Sequence, residues 1–293
     1  MSGFFQNTTG STSMQAMNDD DTPSFAQVFY EDKAIAFVLN SLRDATSLWA
    51  ASSLFNETVL LNEVAEALSK IGKEKCPSQN YPEIQVSTER AILDKAAGDN
   101  SDMFGADLGL SLSMYEDDEL IKQRTALFQL KLGERAGTET KYKLDVRQVY
   151  NSGHNKHAAD RWFMAVCETS HGVWSFGTAR QIGSRLQEDQ LSKVQYATSE
   201  DRVVVLRVAD DWWSISQWIG DWLAGAIGRD SDLSDPNRIE MLIEKVRQRE
   251  AAKKKGQDIG YEFERQFAAE GAFLPRVYLD VRVKSVKARP RQD

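Results

Sequence analysis

The chain has 293 residues, of which 41% are hydrophobic and 27% charged, and its formal net charge is −8. This composition predicts a globular protein with one large core, or one core and a small appended module. No apolar run approaches the roughly 20 residues that a membrane-spanning helix needs, so we expect no association with a membrane. The negative charge argues against a protein coated in nucleic acid, although local charge matters more for phosphate binding than the total.

The two cysteines, Cys76 and Cys167, stand far apart and belong to no CxxC or Cys/His cluster. This pattern argues against a structural zinc site and against a disulfide framework. The N-terminus has no basic segment followed by an apolar one, so no signal peptide is predicted. Together these features predict a cytoplasmic protein.

The first half of the chain begins with a polar segment and continues with helical patterns. Residues 1–24 are rich in Ser, Thr, Asn and Asp and predict a disordered tail. Apolar residues at spacings of three and four predict a helical segment within residues 25–56 and a second helix at 57–72. A turn-rich break follows, then a short strand at 83–86 and a weak helix at 88–97.

The middle of the chain changes to a strand pattern. Residues 104–114 alternate with period two, and an acidic loop at 115–119 leads into a second strand at 125–132. A helix is predicted at 142–150, followed by strands at 161–169, 173–176 and 203–208. This order of elements predicts an α/β layered domain with helical additions at both ends.

The last third of the chain predicts a tryptophan-rich helix at 212–227, a helix from Asp235-Pro236 to about Lys255, and a strand at 277–286. Trp218 and Trp222 have the spacing of a buried helix face. A platform for stacking bases is the less favoured interpretation. We therefore divide the chain into a core at 57–210 and a C-terminal segment at 211–293.

Two polar residues on the strand at 125–132 require an explanation. Alternation along a strand places Gln129 and Lys131 on one face, whereas Phe128 and Leu130 point into a core on the other. A lysine between apolar neighbours needs a carboxylate or a ligand, because burying an unpaired ammonium is costly. If the two strands pair as a hairpin, Asp107 lies beside that face and is the acid that the first strand supplies.

Such a cluster suits phosphodiester hydrolysis, which needs a divalent cation to neutralise phosphate charge and to activate water. Magnesium binds oxygen atoms and keeps several waters, so one or two carboxylates are enough. Asp107 can supply the main ligand, and the Gln129 amide oxygen and the Leu130 carbonyl can add two more. Lys131 can orient or deprotonate the attacking water and stabilise developing charge on the phosphate.

The segment Gly105-Ala106-Asp107, followed on the next strand by Gln129-Leu130-Lys131, resembles the PD-(D/E)xK nuclease superfamily in its Q-x-K variety. The resemblance covers roughly residues 57–168. It implies a restriction-endonuclease-like core, in which helices flank a mixed central sheet, and a site for Mg²⁺ or Mn²⁺. The family also places a Gln on a later helix, where this chain has Gln148. Gln129 stands where Glu is usual, which removes one negative charge and argues against a two-metal mechanism.

The resemblance further implies a Glu on an upstream helix, and two residues are candidates. Glu57 shares a helical stripe with apolar residues and would face inward, whereas Glu89 lies closer to Asp107 in sequence on a weaker helix. We favour Glu57 and keep Glu89 open. Each residue also has an ordinary interpretation: Lys131 as an edge-strand lysine, Asp107 as a turn residue, Gln148 as a helix-surface residue, and Glu57 or Glu89 as a first-turn acid.

The expected function is a magnesium-dependent endonuclease that acts on DNA, in the setting of restriction or antiphage defence. The chain has no GxxxxGK[ST] loop, so a sensor or ATPase would be a separate protein partner, and we expect a homo-oligomer. The alternative is a catalytically silent nuclease fold that scaffolds a nucleic-acid-processing complex. Residues 241–293 contain thirteen Lys or Arg against eight Asp or Glu, which predicts the DNA-binding surface in this region.

Overall fold

The computed structural model describes residue 40 and residues 57–69, 74–76, 83–92, 106–154, 160–236, 238–256, 275 and 277–286. The predicted tail at 1–24 lies outside the described residues, and only residue 40 of the predicted segment 25–56 lies within them. None of the helices in these described ranges is long and apolar enough to cross a membrane.

Ten strands of the described chain form one mixed sheet. They are β1 (Glu74–Cys76), β2 (Glu83–Ile92), β3 (Leu108–Glu116), β4 (Glu119–Ala136), β5 (Glu139–Asp145), β6 (Trp162–Glu168), β7 (Val173–Thr178), β8 (Val203–Arg207), β9 (Trp213–Ser214) and β10 (Val277–Val286). The main path through the sheet has the order β1-β2-β10-β3-β4-β6-β7-β9, and β5 pairs with both β4 and β8.

Helices flank this sheet, so the predicted α/β class is confirmed. They are α1 (Glu57–Ser69), α2 (Val146–His154), α3 (Ala179–Gly183), α4 (Glu188–Ser192), α5 (Ser199–Arg202), α6 (Ile215–Ala224) and α7 (Ile239–Lys254). The longest described helix, α7 with 16 residues, and α6 with 10 residues both lie in the C-terminal part of the chain, as the pattern predicts.

Two predicted helix assignments are wrong. Residues 88–92 of the predicted weak helix at 88–97 belong to β2, because residues 83–92 pair along their whole length with β10, and residues 93–97 lie outside the described residues. The helix predicted at 142–150 begins only at Val146, since residues 139–145 form β5 and pair with β4 and β8. In both cases pairing with a distant strand overrides a local preference for helix.

The hairpin predicted around residues 104–132 is confirmed. Strands β3 and β4 pair antiparallel from Leu108↔Phe128 to Glu116↔Glu119. Asp117 and Asp118 form the turn with positive φ angles of 48° and 69°, the backbone conformation that a tight two-residue hairpin requires. The predicted acidic loop is therefore a two-residue turn, and the register places Asp107 directly before β3 and beside β4.

The last strand lies in the interior of the sheet, because β10 runs antiparallel to β2 on one side and parallel to β3 on the other. The predicted division at residue 210 is therefore not a division of the sheet.

The basic residues of β10 are paired with acids. Arg282 forms ion pairs with Asp280 and Glu89, and Lys284 Nζ forms one with Asp118 at 3.1 Å. These two basic residues of β10 are thus held in ion pairs, and the DNA-binding surface expected within residues 241–293 stays a prediction.

The two faces of the sheet carry separate cores. On the first face, α1 and α6 pack over Phe128, Leu130 and their neighbours. Trp218 of α6 is 2% exposed, and its ring centroid lies 4.9 Å from that of Phe128. The tryptophans of α6 are thus a buried helix face, as the spacing predicts. The second face carries Leu127 and is covered by residues of α2, α3 and α7 and by Trp212.

Candidate functional site

A gap in strand pairing along β4 positions the predicted site. On one edge β4 pairs with β6 through residues 127–133. On the other edge the pairing with β3 begins at Phe128, and the pairing with β5 begins at Gly133. Among the described residues, no strand pairs with that second edge between 129 and 132. We call this gap the β4 notch.

Asp107 sits at the rim of the β4 notch and is fixed on both sides. Its amide donates to the Phe128 carbonyl (2.7 Å), and its carbonyl accepts from the Val277 amide (3.0 Å). Its carboxylate Oδ2 accepts from Gln129 Nε2 at 2.6 Å and from the Leu130 amide at 2.9 Å. The Asp107 carboxylate therefore accepts the hydrogen bond that the Leu130 amide would otherwise donate to a neighbouring strand, and it places a negative charge in the β4 notch.

Gln129 and Leu130 bring two further oxygen-bearing groups to the same place. Gln129 is 4% exposed, and its carboxamide is oriented by the hydrogen bond that Nε2 donates to Asp107. The amide and carbonyl of one strand residue point to the same edge. Since the Leu130 amide reaches Asp107, the Leu130 carbonyl also faces the β4 notch.

Lys131 has the carboxylate partner that the sequence predicts, but the partner is Glu57. The Lys131 side chain is 12% exposed, and Nζ donates to Oε1 and Oε2 of Glu57 at 3.2 and 3.1 Å. Glu57 is the first residue of α1, where a carboxylate interacts favourably with the helix dipole. Its side chain is 47% exposed, so the predicted inward orientation is wrong.

The other two candidates lie on β2 and on α2. Glu89 is on β2, two strands away from β3, and pairs with Arg282. Its predicted place on a helix is therefore wrong. Gln148 is buried in α2 with Oε1 unpartnered. No hydrogen bond in the described part of the chain joins Gln148 to Asp107, Gln129 or Lys131.

One ionisable cluster near the end of β4 was not predicted. Glu168 ends β6 opposite Gly133, is 3% exposed, and accepts from the Ser170 amide at 2.7 Å. His171 Nδ1 lies 2.9 Å from Glu168 Oε2. Burial alone would raise the pKa of Glu168, but the hydrogen bonds from His171 and Ser170 outweigh it and lower this pKa. The sequence signal is an acid that closes an apolar strand before a Thr-Ser-His-Gly turn.

The groups at the β4 notch fit a small hard cation better than a soft one. The described residues contain no group of three or more His, Cys, Asp or Glu side chains that could hold a metal ion. The β4 notch offers one carboxylate, one carboxamide and one backbone carbonyl. Magnesium accepts such a set, because it binds through one or two carboxylates and keeps several waters.

Comparisons with protein-family models, with curated proteins and with solved structures find no match to this chain. The resemblance to PD-(D/E)xK nucleases rests on Asp107, Gln129 and Lys131 and on their elements. We carry that family forward as a proposal.

Proposed function

We propose that this protein is a metal-dependent endonuclease that hydrolyses phosphodiester bonds of DNA. One observation carries the proposal. The Asp107 carboxylate is bonded to Gln129 and to the backbone of Leu130, and Lys131 follows on the same strand face as Gln129. Two residues of a strand span roughly 7 Å, so Lys131 follows Gln129 on β4 at a spacing compatible with contacts to one phosphate group.

Asp107, Gln129 and the Leu130 carbonyl would hold Mg²⁺, and Mn²⁺ could replace it. A bound divalent cation supplies charge neutralisation at the phosphate and lowers the pKa of a coordinated water. The two hydrogen bonds to Asp107 Oδ2 orient the carboxylate before any ligand arrives. This preorganisation lowers the cost of assembling the site.

Lys131 would orient the attacking water and stabilise negative charge that develops on the phosphate. The Lys131 side chain is 12% exposed, and its ammonium is bonded to Glu57, so the ion pair fixes its position. Glu57 acts as a positioning residue through this ion pair. Gln129 binds and orients Asp107, which keeps the carboxylate in the β4 notch.

The proposal is tested by incubating the full chain with supercoiled plasmid DNA in magnesium, in manganese and in EDTA. We expect nicked and linear products with either metal and intact plasmid with EDTA. Equal cleavage with and without metal, or intact plasmid in all three conditions, would reject a metal-dependent endonuclease.

The ion pair with Lys131 distinguishes the two upstream acids. We expect Glu57→Gln to lower the cleavage rate by about tenfold or more, because Lys131 loses the charge that positions it. Glu89→Gln is the matched control. Glu89 pairs with Arg282, and β10 and β3 separate its strand from β4, so we expect a rate within about twofold of the wild type. Initial nicking rates in magnesium measure both, and the reverse order would transfer the role to Glu89.

The biological setting belongs to the same proposal. We propose a cytoplasmic effector of restriction or antiphage defence that acts as a homo-oligomer with a separate sensor or ATPase. The second candidate is a catalytically silent nuclease fold that scaffolds a nucleic-acid-processing complex. The net charge of −8 favours this candidate, because a polyanion is repelled by an acidic protein. The plasmid assay separates the two.

A further inference from the structure

A cavity of about 380 Å³ opens between β5, β8 and the segment that contains α3 and α4. Its size lies within the range of roughly 300–1,000 Å³ that is typical of small-molecule sites. Among its lining residues, Tyr142 on β5 is the one that pairs directly with β4. Its partner there is Gly133, two residues after Lys131. The cavity is therefore a separate feature on an adjoining strand.

One wall of the cavity is aromatic and apolar. Tyr142 and Trp212 line it together with Leu206, and the centroids of the two rings lie 5.7 Å apart. Gly177 on β7 makes room for the indole, since a Cβ atom at that position would lie 2.3 Å from Trp212 Cε2. The Trp212 ring thus packs directly against the backbone of β7 and forms a rigid wall.

Other lining residues bring hydrogen-bond donors and positive charge to the cavity. Arg185 and Arg207 line the cavity with Gln190, and no Asp or Glu of the described residues does so. Gln190 Oε1 accepts from the Gln187 amide at 3.0 Å, which leaves the Gln190 Nε2 as a donor. In a protein with a net charge of −8, such a lining favours an anion.

The two guanidinium groups can turn to a ligand at little cost. In the described part of the chain Arg185 pairs with no carboxylate, and its Nη1 donates only to the Arg207 carbonyl, at 3.4 Å. Arg207 pairs with Glu139 at 2.7 Å, but the two side chains are 62% and 41% exposed. An ion pair this exposed contributes little stability, so a phosphate can replace Glu139 at Arg207.

We propose that this cavity binds a nucleotide, with its phosphate between Arg185 and Arg207 and its base against Trp212 and Leu206. Guanidinium groups match phosphate oxygens with paired hydrogen bonds, and an apolar aromatic wall accepts the face of a base. A bare anion would leave the apolar wall without a partner, and an uncharged aromatic ligand would leave two guanidiniums unused. A nucleotide has a base that can pack against the apolar wall and a phosphate that can bind the two guanidinium groups.

The test is isothermal titration calorimetry of the full chain with AMP, CMP, adenosine and inorganic phosphate, in EDTA so that a metal at the β4 notch is not involved. We expect both nucleotides to bind more tightly than adenosine or inorganic phosphate. Arg185→Gln and Arg207→Gln should each weaken nucleotide binding by about tenfold or more, because each removes a charge-assisted contact.

Arg180→Gln is the matched control, since Arg180 is exposed on α3 and does not line the cavity. It should bind nucleotide as the wild type does, and so should Asp107→Asn, which separates this proposal from the nuclease proposal. Absence of nucleotide binding at millimolar concentration would overturn the proposal. So would equal affinity for nucleotide and inorganic phosphate, or nucleotide binding that neither Arg185→Gln nor Arg207→Gln weakens.

Discussion

Asp107→Asn is expected to lower the rate of plasmid cleavage in magnesium by about 1,000-fold or more, which corresponds to roughly 4 kcal/mol of barrier. The substitution keeps the shape of the side chain but removes the carboxylate charge that would bind the metal. Asparagine can still accept from the Leu130 amide, so the β4 notch should keep its backbone arrangement.

Lys131→Ala should cause a loss of the same order by a different route, because it removes the group that orients water and stabilises phosphate charge. Asp189→Ala serves as the control, since Asp189 is an exposed acid on α4. Initial nicking rates and thermal unfolding midpoints are measured for all three variants. Rates of Asp107→Asn and Lys131→Ala within a few-fold of the wild type would contradict the assigned roles.

Trp218→Ala should destabilise the fold by about 3–5 kcal/mol, the cost typical of removing a large aromatic side chain from a core. The indole is 2% exposed and packs against the rings of Phe128, Phe163 and Phe176. Phe128 lies next to Gln129 on β4, so this packing also supports the strand that carries the site.

The measurement is the urea midpoint and slope, with Tyr196→Ala as the control. Tyr196 is 47% exposed, and we expect its removal to change the free energy of unfolding by less than about 0.5 kcal/mol. Trp218→Phe retains most of the buried area and should fall between the two. An unchanged urea midpoint for Trp218→Ala, combined with a loss of DNA affinity, would instead support a base-stacking role for α6.

Local pattern was sufficient to predict the hairpin that carries Asp107, Gln129 and Lys131. Period-two alternation assigns each of these residues to a face, and the pairing of β3 with β4 spans only a two-residue turn. The strand at Val277–Val286 is also confirmed. These elements could be predicted because their residues encode the strand period directly.

The errors arise where a distant partner decides the structure. The segment around Glu89 is a strand because β10, almost 200 residues later, pairs with it. Similarly, the sequence shows that Lys131 needs a carboxylate, but the choice of Glu57 depends on where α1 begins relative to β4. Neither the pairing of β2 with β10 nor the ion pair of Lys131 with Glu57 can be recognised from neighbouring residues in the sequence, since tertiary pairing overrides propensity.

The central claim is that Asp107, Gln129 and the Leu130 carbonyl form one metal site, and manganese tests it most directly. Crystals of the protein soaked in Mn²⁺ would be measured for anomalous scattering. We predict a peak in the β4 notch, within about 2.0–2.3 Å of an Asp107 carboxylate oxygen, the range of hard-cation contacts to oxygen, and no such peak in Asp107→Asn. A manganese peak elsewhere with the β4 notch empty would contradict the account, and so would a peak that persists in Asp107→Asn.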